Sequence, residues 1–417
     1  MDAGDKLKSV SEHMVLEAAE DYTPPSAAQR APCGFSPDEL KHFARDGAAG
    51  AASATAPPKR TSLSEEKKSA LGVTYAAMPG GKRIALLKTL LTSACERDCY
   101  YCPFRAGRDF RRVTFKPDEM ARAFLELQRA RIAEGMFLSS GIIGGGARIQ
   151  DQLIATAEVL RLKLGYRGYL HLKIMPGAER AQVERAMQLA DRLSINLEAP
   201  NSSRLARLAP HKVFTEELVQ PLRWVEEVRR TQPARLGWNG RWPSTTTQFV
   251  VGGADETDLE LLSTTESLHQ QVRLSRAYFS AFHPVSDTPL ENRPAENPWR
   301  EFRLYQSSFL LRDYGFDLEE LQFSREGNLP LEVDPKIAWA RINLADAPVE
   351  VNRADRQALL RVPGIGPKTV DAVLAARRRG RLLHMNELKA LGVIVKRAAP
   401  YLLVDGRQAA RQLSLFD

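Results

Sequence analysis

The sequence predicts an α/β protein: a barrel-like domain of six βα repeats, open or closed, followed by a small helical module. Short apolar runs of strand length recur at 84–92, 136–143, 169–175, 193–197, 247–251 and 277–282. Amphipathic stretches of helix length separate them, at 117–134, 150–164, 178–190, 215–231 and 255–271. In barrels of this kind the active site lies on loops at the carboxyl ends of the strands.

The chain length predicts more than one domain, because 417 residues exceed a single compact core. No apolar run reaches about 18 residues and the first residues lack signal-peptide features, so we expect a cytoplasmic protein. The predicted segments are a disordered arm with a short helix near 6–20 (1–68), the barrel (69–325), a connector (326–350), a helical module (351–405) and a flexible tail (406–417).

Three of the four cysteines, Cys95, Cys99 and Cys102, lie within eight residues directly after the first predicted strand. In a reducing compartment such spacing indicates metal binding or catalysis rather than disulfides. Closed zinc sites and saturated [4Fe–4S] clusters both use four protein ligands. Three thiolates therefore favour an iron–sulfur cluster with one open iron. The alternative is a three-cysteine zinc site completed by a distant histidine, such as His171, His211 or His283.

Together with Tyr101, these cysteines match the pattern Cys-x3-Cys-x-aromatic-Cys, and the chain resembles the radical S-adenosylmethionine (SAM) superfamily. The resemblance implies a partial (βα)6 TIM-like barrel, a [4Fe–4S] cluster on the three cysteines, and SAM bound at the open iron. It also implies reductive cleavage of SAM to a 5′-deoxyadenosyl radical, with an electron from a donor such as flavodoxin or ferredoxin.

The same resemblance implies seven SAM contacts: Tyr101, Ser139, Ser140, Gly141, Glu198, Val251 and Pro284. Ser139–Gly141 end the second strand, where the superfamily has a Gly-Gly-Glu-like stretch, although no acidic residue follows here. Glu198 ends the fourth strand, where a polar side chain meets the ribose or the carboxylate of SAM. Val251 and Pro284 correspond to segments beside the adenine. Each position has a structural alternative: a strand-end turn, a solvated carboxylate, sheet core or a proline-rich turn. No catalytic residue is predicted.

A narrower resemblance is to a group of DNA modification or repair radical SAM proteins, often linked with a uracil-DNA-glycosylase-like partner. The phrases that match include 135–142, 169–177, 190–198, 247–252 and 333–340, and the resemblance covers about residues 70–405. The chain differs in its arm, where this group tends to carry further cysteines and none lies between Cys33 and Cys95. Cys33 is interpreted as a spare thiol.

Residues 351–405 resemble a helix–hairpin–helix module. Gly364 and Gly366 permit a tight turn between two helices, and their N–H groups would bind phosphate oxygens. From residue 350 to the end, 13 lysines and arginines stand against 6 acidic residues, a net of +7 in a chain of +8. A dimerisation or docking module is the alternative. The basic residues expected to contact the DNA backbone are Lys368, Arg377, Arg378, Arg379 and Arg381.

The last residues resemble the short peptide with which bacterial replication and repair proteins bind the DNA sliding clamp. Its residues would be Gln412, Leu413, Leu415 and Phe416. An apolar end that folds back on its own domain is the alternative.

The leading hypothesis is a radical SAM enzyme that acts on DNA. The alternatives are a radical SAM enzyme that modifies RNA, and a non-enzymatic, cluster-bearing nucleic-acid-binding protein.

Overall fold

The computed structural model describes residues 2–12, 14, 65–77 and 83–408. These residues form two compact units. The first comprises the described residues up to 256 together with 267–301, and the second comprises 257–266 and 302–408. Cys33 and the clamp-like peptide, Gln412, Leu413, Leu415 and Phe416, lie outside the described residues.

A seven-stranded sheet is the framework of the first unit. Its strands are β1 (Val73–Ala77), β2 (Arg83–Leu90), β3 (Gly135–Ser139), β4 (Leu170–Lys173), β5 (Arg192–Ser194), β6 (Ser244–Val251) and β7 (Arg276–Ala281). Strands β2 to β7 are parallel, and their spatial order follows the chain. The sheet begins at β1 and ends at β7, so the described strands form a partial barrel. The prediction of a partial barrel is therefore confirmed.

Strand β1 is an addition to the predicted repeats. It pairs antiparallel with β2, so that Val73 lies opposite Leu87 and Ala77 opposite Arg83. The sequence Val-Thr-Tyr-Ala-Ala is short and mixed in polarity, and its strand form depends on hydrogen bonds with β2 rather than on a local pattern.

The helices that begin in the first unit or connect it to the second are α1 (Ala3–Ser11), α2 (Glu65–Ala70), α3 (Pro117–Arg129), α4 (Gly146–Glu158), α5 (Arg180–Leu189), α6 (Ser202–Leu208), α7 (Gln220–Thr231), α8 (Asp258–Val272) and α9 (Pro298–Asp313). Single π-helical segments follow α4 (Val159–Lys163) and precede α7 (Phe214–Val219). Each predicted amphipathic stretch contains a helix, whereas α6 was not predicted because seven residues show too little periodicity. No helix in the described part of the chain is long and apolar enough to cross a membrane.

The beginning of the predicted disordered arm is helical. Asp2 caps α1 by accepting the Asp5 N–H (2.8 Å), and Leu7 and Val10 are buried. Lys6 forms an ion pair with Glu119 on α3 at 2.6 Å. Val10 also belongs to an apolar cluster with Leu90 and other side chains of the first unit. Long-range burial therefore orders a segment whose composition alone predicts disorder.

The second unit also contains α10 (Pro335–Asn343), α11 (Arg356–Arg361), α12 (Pro367–Arg377), α13 (Met385–Ala390) and α14 (Val395–Ala398). Its residues 302–325 were assigned by sequence to the barrel. Helix α10 lies in the predicted connector, where Asp334 accepts the N–H groups of Lys336 and Ile337 and so caps it. Buried side chains from Ala340 to Val404 form one continuous core around these helices.

The second unit is not all-helical, which corrects the prediction. Strands β8 (Val349–Glu350), β9 (Leu402–Val404) and β10 (Arg407–Gln408) form a small sheet in the order β10-β9-β8. Asp405 and Gly406, both with positive φ (54° and 73°), make the tight turn between β9 and β10. An Asp-Gly turn between short strands is a recognised hairpin signal, and it was missed because the segment was assigned to the flexible tail.

Replacing Arg161 tests how far the first unit depends on one buried cation. Its guanidinium donates to the carbonyl oxygens of Leu189 (3.0 Å), Tyr166 (3.0 Å) and Gly168 (2.7 Å), and to Asp191 (2.9 Å). Arg161→Met leaves the Asp191 carboxylate without this buried partner, and we expect a loss of about 3–5 kcal/mol in unfolding free energy. Urea denaturation followed by circular dichroism measures it.

The matched control is Arg180→Met, which removes an ion pair with Glu227 whose side chains are about half exposed. We expect the unfolding free energy of this variant to change by less than about 1 kcal/mol. Equal losses in the two variants would contradict a special role for Arg161.

Candidate active site

A cleft opens at the carboxyl ends of the parallel strands and encloses about 880 Å³, including space open to solvent. The loop that carries the three cysteines follows β2 and forms part of its wall. The predicted site residues that line the cleft are Cys95, Cys99, Tyr101, Cys102, Ser139, Ser140, Gly141 and Glu198. The structure thus brings together predicted site residues from three separate segments of the sequence.

Two predicted cofactor contacts lie elsewhere. Val251, the last residue of β6, is fully buried, and Pro284 is exposed. Neither residue lines the cleft, whereas Gln248, which lies on β6 like Val251, does. In this structure the predicted adenine-contacting segment therefore meets the cleft through Gln248.

The end of β3 is joined to the cysteine loop by backbone hydrogen bonds. Gly141 N–H donates to the Thr92 carbonyl (2.7 Å), and Glu96 N–H donates to the Ile142 carbonyl (2.6 Å). A Cβ atom on Gly141 would lie 2.3 Å from the carbonyl oxygen of Ala94. Only glycine fits this approach, so Gly141 is required structurally whatever else it contacts.

Arg112 fixes the far side of the cysteine loop. Its guanidinium donates to the carbonyl oxygens of Ser93 (2.7 Å), Phe104 (2.6 Å) and Arg105 (2.7 Å), and it lies 3.8 Å from the centre of the Phe110 ring. From the sequence, Arg112 was expected, together with Arg111, either to steer a polyanion toward the site or to lie on the surface, and its role in holding the cysteine loop was not predicted. No local pattern marks an arginine whose partners are backbone carbonyls.

The three cysteines are free thiols in an environment that suits cluster ligands. Ile142 N–H donates to Cys95 Sγ and Phe104 N–H to Cys102 Sγ, each at 3.4 Å. Burial raises the pKa of the Cys99 and Cys102 thiols. Buried thiols stay neutral unless a cation compensates the thiolates, and iron ions supply that charge. The donor set therefore fits an iron–sulfur cluster.

No three His, Cys, Asp or Glu side chains in the described ranges form a group that could hold a metal ion as they stand. A [4Fe–4S] cluster does not need such a group, because each cysteine binds a different iron. Of the histidines considered for the zinc alternative, His171 has its ring 4.5 Å from that of Phe137, His211 pairs with Asp98 at 2.8 Å, and His283 is exposed.

Glu198 is buried and already engaged within the protein. Its Oε1 accepts from Lys212 Nζ at 3.1 Å, and Tyr101 lines the same cleft. Burial and the negative charge of Glu198 hold the pKa of Tyr101 well above its usual range. Lys212 was not singled out from the sequence, since it lies in an irregular loop without a motif.

Ser140 has a buried hydroxyl that lines the cleft and has no hydrogen-bond partner. Such an oxygen is costly to bury unless a ligand satisfies it. It is therefore the position on the β3 end best suited to a polar group of a bound cofactor.

The barrel interior continues below the cleft as a cavity of about 400 Å³, open space included. Asn196 and Gln248 line both spaces. The hydroxyls of Ser194 and Thr246 in the lower cavity are buried without hydrogen-bond partners. The interior therefore has polar groups available to a ligand below the cysteines.

In the second unit, helices α11 and α12 are joined by a turn that contains both predicted glycines. Gly364 has φ of +83°, and Gly366 precedes Pro367 at the start of α12. Lys336 Nζ donates to the Ile365 carbonyl at 2.6 Å, which holds the turn from within the unit. Both glycines therefore lie in the connection between two helices, and the assignment of this segment to a helix–hairpin–helix stays a prediction.

The predicted basic residues of this unit divide into two groups. Lys368, Arg378 and Arg379 are exposed. Arg377 donates to the Ala354 carbonyl (2.5 Å), and Arg381 forms an ion pair with Asp405. Arg381 is also exposed, but its guanidinium pairs with Asp405, so Lys368, Arg378 and Arg379 are the cations more available to an external partner.

Comparison with known proteins gives a family match for part of the chain. Residues 89–268 match the family model described as the Radical SAM superfamily. No curated protein matches the sequence. Among solved structures, similarities include the [FeFe]-hydrogenase maturase HydG (11% identity, TM-score 0.42) and the methylornithine synthase PylB (15%, 0.43). A further one is a radical SAM methyltransferase from Sphaerobacter thermophilus (13%, 0.40).

These alignments cover 54%, 55% and 57% of this chain, and 49%, 63% and 70% of the other chains, respectively. The chain thus spans about half to two thirds of the length of the first two. Residues 89–268, somewhat under half of the chain, therefore match a radical SAM domain, and members of that superfamily use a [4Fe–4S] cluster and S-adenosylmethionine.

Proposed function

We propose that the protein is a radical SAM enzyme that acts on DNA, by abstracting hydrogen from a base or a sugar. The observation that supports DNA is the glycine turn between α11 and α12, which lies in the basic part of the chain from residue 350 onward. The cluster and SAM, when bound, supply the radical chemistry. The chain supplies the rest: Cys95, Cys99 and Cys102 as ligands, the Ser140 hydroxyl as a polar contact, and the walls of the cleft to exclude water.

The turn suits a phosphate group. The first N–H groups of α12 have no acceptor within the helix, and Pro367 at its start carries no N–H. Lys368, on the first turn of α12, is exposed beside them. Amides and one cation at a helix start bind phosphate oxygens without reading bases. Such contacts suit an enzyme that must hold a polymer while a separate site does chemistry.

Several partners follow from this proposal. A low-potential electron donor such as flavodoxin or ferredoxin would reduce the cluster, and a uracil-DNA-glycosylase-like protein would act on the same DNA. Binding of the tail to the sliding clamp stays a prediction, since its residues lie outside the described ranges.

Replacing each cluster cysteine by alanine tests the metal assignment. In Cys95→Ala, Cys99→Ala or Cys102→Ala the cluster loses one of three protein ligands. We expect anaerobically reconstituted variants to lose the visible absorption of the cluster and the production of 5′-deoxyadenosine from SAM.

The control is Cys33→Ala, which removes the thiol outside the cluster motif and should retain both properties. Normal iron content and SAM cleavage in a Cys99→Ala protein would refute the assignment. SAM cleavage by the wild-type protein also separates the enzyme from a non-enzymatic cluster protein.

Replacing Lys368 tests the nucleic-acid surface. Lys368→Ala removes one phosphate contact, so affinity for duplex DNA should fall to a similar degree for every sequence. The slope of log K against log salt should decrease by about one. Fluorescence anisotropy over a salt series measures both quantities.

Arg325→Ala is the control, because it removes an equally exposed charge of the second unit outside the turn. We expect no change in its salt slope. If Lys368→Ala and wild type bind DNA identically, the turn is not the contact. Faster turnover with RNA than with single- or double-stranded DNA would favour the RNA-modifying alternative.

A further inference from the structure

A buried lysine lies beside the cysteines of the cluster loop. Lys212 follows α6 in a loop that turns back through a hydrogen bond from its own N–H to the Ala209 carbonyl (3.0 Å). Its side chain is only 9% exposed. It lines the same cleft as Cys99 and Cys102. A cation in this position is costly to bury and therefore requires a fixed counter-charge.

Glu198 supplies that counter-charge and is itself rigidly held. Its backbone has φ of +66°, a region that residues other than glycine rarely adopt. Two hydrogen bonds to β6 keep it there: Glu198 N–H donates to the Gln248 carbonyl (2.9 Å), and Val250 N–H donates to the Glu198 carbonyl (2.8 Å). The hydrogen bond to this fixed carboxylate (3.1 Å) therefore defines the position of the Lys212 ammonium.

Both members of this ion pair line the cleft that also contains Cys99 and Cys102. Lys212 therefore places a fixed positive charge, and Glu198 a fixed negative charge, beside the predicted cluster ligands.

Charge near an iron–sulfur cluster changes the ease with which it accepts an electron. Reduction adds one negative charge to a site that already holds three thiolates, and a fixed cation in a low-dielectric cleft favours that addition. We propose that Lys212 is a positioning residue that raises the reduction potential of the [4Fe–4S] cluster. The electron comes from a low-potential one-electron donor. This inference rests on the cluster assignment within the proposed function and does not depend on DNA.

Potentiometric titration with dithionite, followed by electron paramagnetic resonance without SAM or DNA, tests the proposal. In Lys212→Met we expect one-electron reduction to be about tenfold less favourable, which is a midpoint lower by about 59 mV. Glu198→Gln removes the opposing negative charge, so its midpoint should rise. Lys212→Arg keeps the charge and should stay close to wild type. Lys163→Met, an exposed lysine outside the cleft, should leave the midpoint unchanged because solvent screens it.

Opposite shifts in Lys212→Met and Glu198→Gln support the proposal, because a merely structural role would not reverse sign. An unchanged midpoint in Lys212→Met, or shifts of the same sign, overturns it. If Lys212→Met binds no cluster, Glu198→Gln decides: an upward shift supports the proposal, and any other result overturns it. A wild-type protein without a cluster overturns the cluster assignment and this inference together. A protein that carries the cluster but does not bind DNA overturns only the proposed substrate.

Discussion

The close approach between the end of β3 and the cysteine loop is the constraint on which the site depends. A side chain at Gly141 would collide with the Ala94 carbonyl. Two backbone hydrogen bonds join the segments: Gly141 N–H donates to the Thr92 carbonyl, and Glu96 N–H donates to the Ile142 carbonyl. The N–H of Ile142, just after β3, also donates to Cys95 Sγ. The loop therefore cannot move without breaking buried hydrogen bonds, and the first ligand position is set by the sheet rather than by the loop itself.

Charge compensation is the second requirement of a site built from thiolates. Arg112 satisfies loop carbonyls on one side, and Lys212 with Glu198 lies on the other. Lys212 is almost fully buried and therefore needs its ion pair with Glu198, whereas Arg112 is only partly buried and binds backbone carbonyls. The cleft thus combines buried thiols, oriented N–H groups and one fixed ion pair. Such an environment controls the electronics of a bound cluster, because its charges cannot reorganise as water would.

Under the proposed function, the two units have different roles. The first contains the cleft with the Ser140 hydroxyl, and the cavity below it with the hydroxyls of Ser194 and Thr246, all three buried without hydrogen-bond partners. The second contains a turn whose amides and exposed cations suit backbone phosphates. Binding by phosphate contacts is independent of sequence, so selectivity would have to come from the cleft.

The sequence by itself determined the repeating strands and helices, the three-cysteine motif and the glycine turn, because each is a local pattern with a fixed spacing. It also contained the Asp405-Gly406 turn, which lies where the sequence analysis placed the boundary between the helical module and a flexible tail. Only the tertiary structure decided that α1 is ordered, that β1 joins the sheet, and that Lys212 and Arg112 belong to the site. Each of these depends on partners far away in the chain, and a contact of that kind leaves no periodicity or motif in the sequence around it.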